Sequence, residues 1–239
     1  LYAAKDITKD QSYVLYTLNQ TQLKKILFPL GEIPKTETRK IAEELGFNVA
    51  DKPDSVDICF VTSNNYKDFL KKQGVEFKQG NVLDENGKVV GSHDGIPSYT
   101  IGQRRGIHYE NQKKENPKYV NEFDLTTNTI TVGNKENLHI NKILLKDINW
   151  IKNIPSSDEK LYCRVRYNGQ SAKCQVSNID GQINVILDET IIRPSNGQSC
   201  VIYKEDPQLE GEVVGGGIIE KCTYIEHAVT NKKIIQEYQ

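Results

Sequence analysis

From Leu138 to about Ile235 nearly every apolar run is short, strand-like and closed by a turn. Leu161 to Tyr167, Ala172 to Val176, Ile183 to Leu187, Ser199 to Tyr203 and Glu212 to Ile219 are such runs, and Asn168-Gly169, Asp180-Gly181 and Asn196-Gly197 supply hairpin turns. About five or six strands at this spacing make a small antiparallel barrel. Gly215-Gly216-Gly217 falls inside one run with no helix after it, so it marks a bulge or a close backbone approach rather than a phosphate loop. Cys163, Cys174, Cys200 and Cys222 lie in these strands and read as core residues.

The first third has another rhythm. Residues 10 to 27 read as two short helices, with Val14, Leu15 and Leu18 sharing a face and Asn19 or Thr21 capping a second segment that carries Leu23, Ile26 and Leu27. Thr36 stands where an N-cap belongs, before a helix with Ile41, Ala42 and Leu45 inward and Gly46 as a left-handed C-cap. Helix, loop and then the apolar run Ile58-Cys59-Phe60-Val61 is the grammar of an α/β domain's closing segments. After one more short helix at Tyr66 to Leu70, turns and short strands take over from about residue 75. Asn86-Gly87 is a type I′ hairpin signal, and Lys118 to Asp124 pairs with Thr129 to Val132. Residues 109 to 118 are too polar to pack. The division expected is 1–63 as the end of an α/β domain, 64–137 as a small central domain of α+β or β type, and 138–239 as a C-terminal antiparallel β-barrel.

Charge narrows the partners. The net charge is −1, and cutting at residues 63 and 137 gives 8 basic against 9 acidic residues, then 11 against 10, then 12 against 13. Any RNA contact must therefore come from a local patch, not from a basic domain. The 5 cysteines are widely spaced with no C-x-x-C pair, which argues against a secreted disulfide framework and a zinc site and fits a reducing cytoplasm. No metal site is expected. No run approaches the roughly 18 apolar residues of a membrane span. The chain opens Leu1-Tyr2-Ala3-Ala4 and holds no methionine, so it reads as a piece of something longer.

Cys59 follows a polar, proline-started turn, Lys52-Pro53-Asp54-Ser55, and sits between Ile58 and Phe60-Val61. Two readings fit that pattern: a small buried core residue, or a thiol at a strand's mouth with sheltered flanks and an open tip. Asp54 and Asp57 oppose a thiolate there, and Lys52 favours one. The loop Tyr99-Thr100-Ile101-Gly102-Gln103-Arg104-Arg105-Gly106 likewise reads either as a contact for a phosphate backbone or another domain, or as a solvated polar loop.

Several stretches in fixed order carry a resemblance. Lys9-Asp10-Gln11-Ser12-Tyr13, Arg39-Lys40-Ile41-Ala42-Glu43-Glu44-Leu45-Gly46, Asp54-Ser55 with Ile58-Cys59-Phe60, Gly91-x-His93-x-Gly95, Tyr99 to Gly106 and Gly215-Gly216-Gly217-Ile218-Ile219 together resemble the bacterial tRNA-specific 2-thiouridylases. The resemblance runs along essentially the whole chain. It implies an adenine-nucleotide α-hydrolase-like (PP-loop) ATP-pyrophosphatase domain, of which this chain holds the end, then a central domain and a β-barrel. The family's phosphate loop, its ATP site with Mg²⁺ and its first catalytic cysteine are expected before Leu1.

The implied reaction is ATP-dependent replacement of the C2 oxygen of the wobble uridine of tRNA by sulfur. ATP adenylates the oxygen so that AMP can leave. Sulfur arrives, from a persulfide-relay protein, as a persulfide on the cysteine matched by Cys59, and the absent first cysteine resolves the intermediate by forming a disulfide with it. The resemblance also implies tRNA contacts at Lys9, Asp10, Gln11, Arg166, Tyr167 and Gln198. Gln11 suits the imide edge of uracil, since an amide offers donor and acceptor side by side. Arg166 suits a phosphate and Tyr167 a stacked loop base. The plainer alternatives are a helix N-terminus at Asp10-Gln11, a surface arginine beside a hairpin, and a turn glutamine after Gly197. Alone, this piece is expected neither to bind ATP tightly nor to thiolate tRNA. A second reading is a non-catalytic module that binds tRNA or a partner, with Cys59 structural. A cysteine hydrolase is the weakest, because neither His93 nor His108 has a spacing that marks it as a base for Cys59.

Overall fold

A computed structural model describes residues 1–50, 52, 66–109 and 117–224. The expected Cys59 strand, the polar stretch 110–116 and the chain after Tyr224 lie outside the described residues. The described parts of 1–52 and 140–239 gather into one compact unit, and those of 53–139 into another. In chain order come α1 (Ser12–Leu15), α2 (Gln20–Leu23), α3 (Lys35–Glu44), α4 (Tyr66–Lys72), β1 (Gly80–Leu83), β2 (Val89–His93), β3 (Tyr119–Asp124) and β4 (Thr129–Gly133). Then come β5 (His139–Trp150), β6 (Leu161–Arg164), β7 (Ala172–Ile179), β8 (Gln182–Ile192), β9 (Ser199–Tyr203) and β10 (Val213–Thr223). Among the described residues no helix is long and apolar enough to cross a membrane.

In the first unit, β5 to β10 close into a barrel in the order β10-β5-β8-β7-β6-β9. The interior is filled by alternate residues, among them Ile143, Leu145, Leu161, Val176, Val185, Leu187, Ile202 and Ile219, together with Cys163, Cys174, Cys200 and Cys222. Asp180 and Gly181 both take positive φ, so the β7–β8 connection is a two-residue hairpin. A sheet of this size closes only if its strands bend, and β10 bends where its register against β5 shifts between Gly216 and Ile218.

The outer face of β6, β9 and β10 is covered as well. Val201, Tyr203 and Val213 pack there with Ala3, Tyr16 and Ile151, and Leu1, Tyr13, Leu23 and Tyr162 border them. In β9, Cys200 and Ile202 therefore enter the barrel while Val201 and Tyr203 meet the N-terminal segment, so the whole run Cys200 to Tyr203 is buried. Burying a valine such as Val201 contributes about 1.5–3 kcal/mol. The cover is pinned by backbone bonds from Ala3 N–H to Gly211 O and from Val213 N–H to Leu1 O, at 3.0 and 2.9 Å. Asn149 donates to the carbonyls of Tyr16 and Leu18, and Gln20 to that of Ile151. The glycine run is the fitting surface: a Cβ on Gly216 would lie 2.7 Å from Cys200 O and 2.8 Å from the Tyr16 ring.

Among the local expectations the Asn19 cap holds, and three others give way. The single turn α1 buries Ser12, with Tyr16 just after it, against the barrel; Val14 is 55% exposed. The cap of α2 is Asn19, which forms a reciprocal capping box with Gln22. Helix α3 starts after Pro34, and Asp6 rather than Thr36 serves it, its Oδ2 accepting from Lys35 N–H at 2.9 Å; Thr36 lies inside the first turn. The helix ends as expected at left-handed Gly46, but Ile41 and Leu45 are exposed.

The second unit is a four-stranded sheet ordered β2-β1-β4-β3, with β1 and β4 parallel at its centre. Val82, Val120, Ile130 and Val132 are the buried apolar residues of the sheet, and Tyr99, Ile101, Ile107 and Leu138 are buried elsewhere in the unit. The Asn86-Gly87 turn is not type I′, because only Gly87 takes positive φ. Asp84 instead closes the loop, accepting from the N–H groups of Asn86 and Lys88 through its carboxylate. The Gly91-x-His93-x-Gly95 stretch is a structural clasp. His93 is 2% exposed, and its Nε2 lies 3.2 Å from the carbonyl of Asn128, which can only accept. Nε2 therefore carries the proton, and Nδ1 accepts from Gly95 N–H at 3.1 Å. Gln103 closes the Tyr99–Gly106 loop in the same manner, bonding Thr100 N–H and Arg105 O, and leaves Arg104 and Arg105 in solvent.

Substituting Gly216 by valine drives a side chain into Cys200 O and the Tyr16 ring. We expect a loss of about 1–3 kcal/mol in urea denaturation; an unchanged midpoint contradicts the fit described. His93→Phe should cost the second unit about 1–3 kcal/mol by leaving Gly95 N–H and Asn128 O unpaired, measured the same way.

Candidate nucleic-acid interface

The docking of residues 1–23 on the barrel carries one polar knot inside the apolar seam. Asp10 is 3% exposed. Its Oδ1 accepts from the backbone N–H of Ala4 and of Ser12, both at 3.0 Å. Its Oδ2 accepts from Ser12 Oγ and from Arg164 Nη1, both at 2.8 Å. Arg164 ends β6, is 5% exposed, and its guanidinium lies 5.9 Å from the centre of the Tyr203 ring. Since Ser12 gives its proton to the carboxylate, the 3.0 Å contact between Ser12 Oγ and Tyr203 Oη is donated by the tyrosine. A proton chain thus runs Tyr203, Ser12, Asp10 and ends on an ion pair. Nε of Arg164 is buried without a hydrogen-bond partner. Breaking such a pair by removing one member typically costs about 3–5 kcal/mol, because a buried charge is left alone.

Alternation then decides what faces solvent. Asp10 and Ser12 are buried, and Gln11 between them is exposed. Its Nε2 donates to Lys9 O at 3.2 Å and to the hydroxyl of Tyr167. Tyr167 meets Tyr13 edge to face, with ring centroids 6.4 Å apart. Tyr13 donates to Ser199 O at 2.8 Å, and Ser199 Oγ contacts Tyr16 Oη at 3.1 Å. Burial pushes the Tyr13 phenol above its usual range and that of Tyr203 up to about 12.

Three distant segments therefore meet at one place: residues 9–13, the turn after β6, and the start of β9. Of the residues singled out from the sequence, Gln11 and Tyr167 touch directly. Gln198, exposed, precedes Ser199 and so joins the same edge. Arg166 is exposed and donates through Nη2 to Arg193 O at 3.4 Å. Lys9 is exposed, and its carbonyl orients Gln11. Asp10 stands apart, buried beneath the others. Cys59 lies outside the described residues. Ser12, Tyr13, Arg164, Ser199 and Tyr203 were not singled out for a role, though Arg164, a lone charge between Cys163 and Val165 in an apolar strand, carries a legible signal. The other four cysteines are buried in the barrel as free thiols, and burial drives Cys222 up to about 11.

Family models match along the chain in the order of these parts. A model described as tRNA methyl transferase HUP domain matches residues 1–63, one described as tRNA methyl transferase PRC-barrel domain matches 67–134, and one described as Aminomethyltransferase beta-barrel domain matches 140–219. The fold is thus a HUP-domain segment, a PRC-barrel-like middle domain and a closed β-barrel, the architecture of a class of tRNA-modifying proteins. Among curated relatives, the tRNA-specific 2-thiouridylase MnmA of Trichlorobacter lovleyi is 39% identical over 226 residues, covering 93% of this chain and 62% of the relative. The corresponding protein of Rickettsia typhi is 38% identical over 227 residues, 92% of this chain and 61% of its own. That named MnmA 1 in Syntrophus aciditrophicus is 36% identical over 224 residues, 94% and 58%. The chain belongs to the tRNA-specific 2-thiouridylase family. It spans about three-fifths of the length of the curated relatives it matches.

The buried phenol of Tyr203 makes this docking sensitive to alkali. Its pKa is raised from 10.0 to about 12, so the folded state holds the proton more tightly than the unfolded chain. That contribution is complete below pH 10 and is lost as pH rises towards 12. Stability measured by denaturant should fall by roughly 1–3 kcal/mol across that window beyond what Tyr203→Phe shows; parallel profiles for the two proteins contradict it.

Proposed function

We propose that the chain is part of an ATP-dependent tRNA-uridine 2-sulfurtransferase that places sulfur on C2 of the wobble uridine through a persulfide on Cys59. The observation that carries the reading is the meeting of Gln11 with Tyr167, 156 positions away, on the edge that also holds Lys9, Arg166 and Gln198. With Nε2 of Gln11 held by Lys9 O and Tyr167, its carbonyl oxygen is left as the acceptor for a uracil N3–H. Tyr167 offers a partly exposed ring for stacking. Arg166 and Lys9 supply positive charge for phosphates, in keeping with a local patch on a chain of net charge −1. Asp10 belongs to the same site as a support.

The chemistry follows from the leaving group. Oxide does not leave a uracil C2, so the oxygen is adenylated by ATP, and the terminal sulfur of the Cys59 persulfide attacks C2 as AMP departs. A second cysteine then attacks the inner sulfur, releasing the thiolated base and forming a disulfide with Cys59. We place ATP, its Mg²⁺ and that second cysteine in the part of the relatives' length that this chain does not span. The sulfur donor is a protein carrying a persulfide, and the compartment is a reducing cytoplasm, in keeping with the free thiols of the barrel. Burial of those four thiols keeps them from the donor. The spans of the matched models support a domain division at 63/64 and 137/138.

The 239-residue chain should bind an anticodon stem-loop RNA with uridine at the wobble position in a salt-dependent manner, and Gln11→Ala and Tyr167→Ala should each weaken binding about tenfold. After treatment with a persulfide donor, mass spectrometry should find the added sulfur on Cys59 and lose it in Cys59→Ser. Binding without sulfur at Cys59 leaves a non-catalytic module. No RNA binding overturns the reading altogether.

A further inference from the structure

We infer that the buried Asp10–Arg164 ion pair, with Ser12 and Tyr203, acts as a positioning device that sets the Gln11–Tyr167 pair for the RNA, and that Asp10 itself makes no contact with it. The inference rests on the tRNA reading above and says how that site is built.

Each member of the ion pair lies close in sequence to one member of the exposed pair. Asp10 immediately precedes Gln11, and Arg164 stands three positions before Tyr167 at the end of β6. The 2.8 Å contact between Asp10 Oδ2 and Arg164 Nη1 therefore ties together the two segments that must meet for Gln11 to reach Tyr167. The carboxylate also fixes the local backbone, since Oδ1 holds the N–H groups of Ala4 and Ser12. With residues 10 and 12 turned inward, the side chain of Gln11 points out. On the other segment, Val165 enters the barrel core, and the turn closed by Gly169 N–H to Arg166 O follows at once. Tyr167 thus leaves from a strand end held at Arg164.

The groups that take up Asp10's oxygens fill its capacity. Four donors reach two oxygens at 3.0 Å or less, and the residue is 3% exposed. Nothing remains for a base or a ribose. A buried ion pair seldom adds stability over an apolar pair of the same shape, whereas it does fix one geometry. Salt-bridge geometry and the hydroxyl chain from Tyr203 through Ser12 together leave one arrangement of the loop.

The test is a double-mutant cycle on the full chain, read by its affinity for the anticodon stem-loop RNA with uridine at the wobble position. Asp10→Asn keeps the side-chain shape and removes the charge. We expect it to weaken binding about tenfold in the wild-type background and less than about twofold in a Gln11→Ala background, since an effect transmitted through Gln11 has nothing left to move. Equal losses in both backgrounds, or none in either, overturn the inference. Should Asp10→Asn fail to give a cooperative melt, Arg164→Lys, which keeps the charge and loses the planar fork, is measured in the same cycle with the same expectation. A second readout needs no RNA. The side-chain amide resonance of Gln11 should move on Tyr167→Phe, and Asp10→Asn or Arg164→Lys should shift it to the same place. If the wild-type chain binds no RNA, the tRNA reading falls, while the amide resonance still decides the positioning role: an unmoved signal in both ion-pair variants defeats it.

Discussion

The first unit depends on the outer face of β6, β9 and β10 being covered. A barrel strand needs only one apolar face, yet β9 is apolar on both, with Cys200 and Ile202 inside and Val201 and Tyr203 outside. Residues 1–23 meet that demand. They bring Ala3 and Tyr16 to the apolar part of the seam and pair Asp10 with Arg164 inside it. Tyr16 in turn fits because Gly216 has no side chain. The exposed edge where Lys9, Gln11, Tyr167 and Gln198 gather is the rim of this joint, so its geometry is inherited from the packing beneath.

How much of this was legible in the sequence depended on the range of the interaction that decides each element. Some turns that act within a few residues were readable: Asp180-Gly181 makes its hairpin and Gly46 ends α3, whereas Asn196-Gly197, expected as a hairpin, joins β8 to β9, which are not neighbours in the barrel. The barrel was readable too, since short alternating runs fit little else, although no run in the sequence marks out β5, at 12 residues the longest of the described strands. What failed was facing. Val14, Leu15 and Leu18 share a helical stripe on paper, but α1 is one turn long, and its direction is set by Ser12 and Tyr16 docking on strands nearly 200 positions away in the chain, as in the Ser12–Tyr203 contact 191 residues apart. Asn86-Gly87 failed for a local reason, because the Asp84 carboxylate captures the turn first.

The candidate site divides along the same line. The motif around Lys9 to Tyr13 and the pair Arg166-Tyr167 were visible as segments, but nothing in either says that they meet. Their roles also separate once packed. Asp10 and Gln11 are adjacent in a motif, and one is enclosed while the other is presented. Motif membership cannot tell these apart, because alternation relative to a surface is a property of the fold.

The docking of the N-terminal segment has a consequence for how the protein is made. Residues 1–23 leave the ribosome well before β6, β9 and β10, the strands whose surface they bind. Contacts such as Ser12 with Tyr203 and Tyr13 with Ser199 close loops of 191 and 186 residues, and closing long loops is slow. Until β10 is in place, the segment that carries Tyr13 and Tyr16 has no site to occupy, and its aromatic side chains stay in solvent. Residues 1–23 are thus translated long before the strands they dock on and are late to reach their final place in the unit, and in that interval their apolar side chains are open to aggregation.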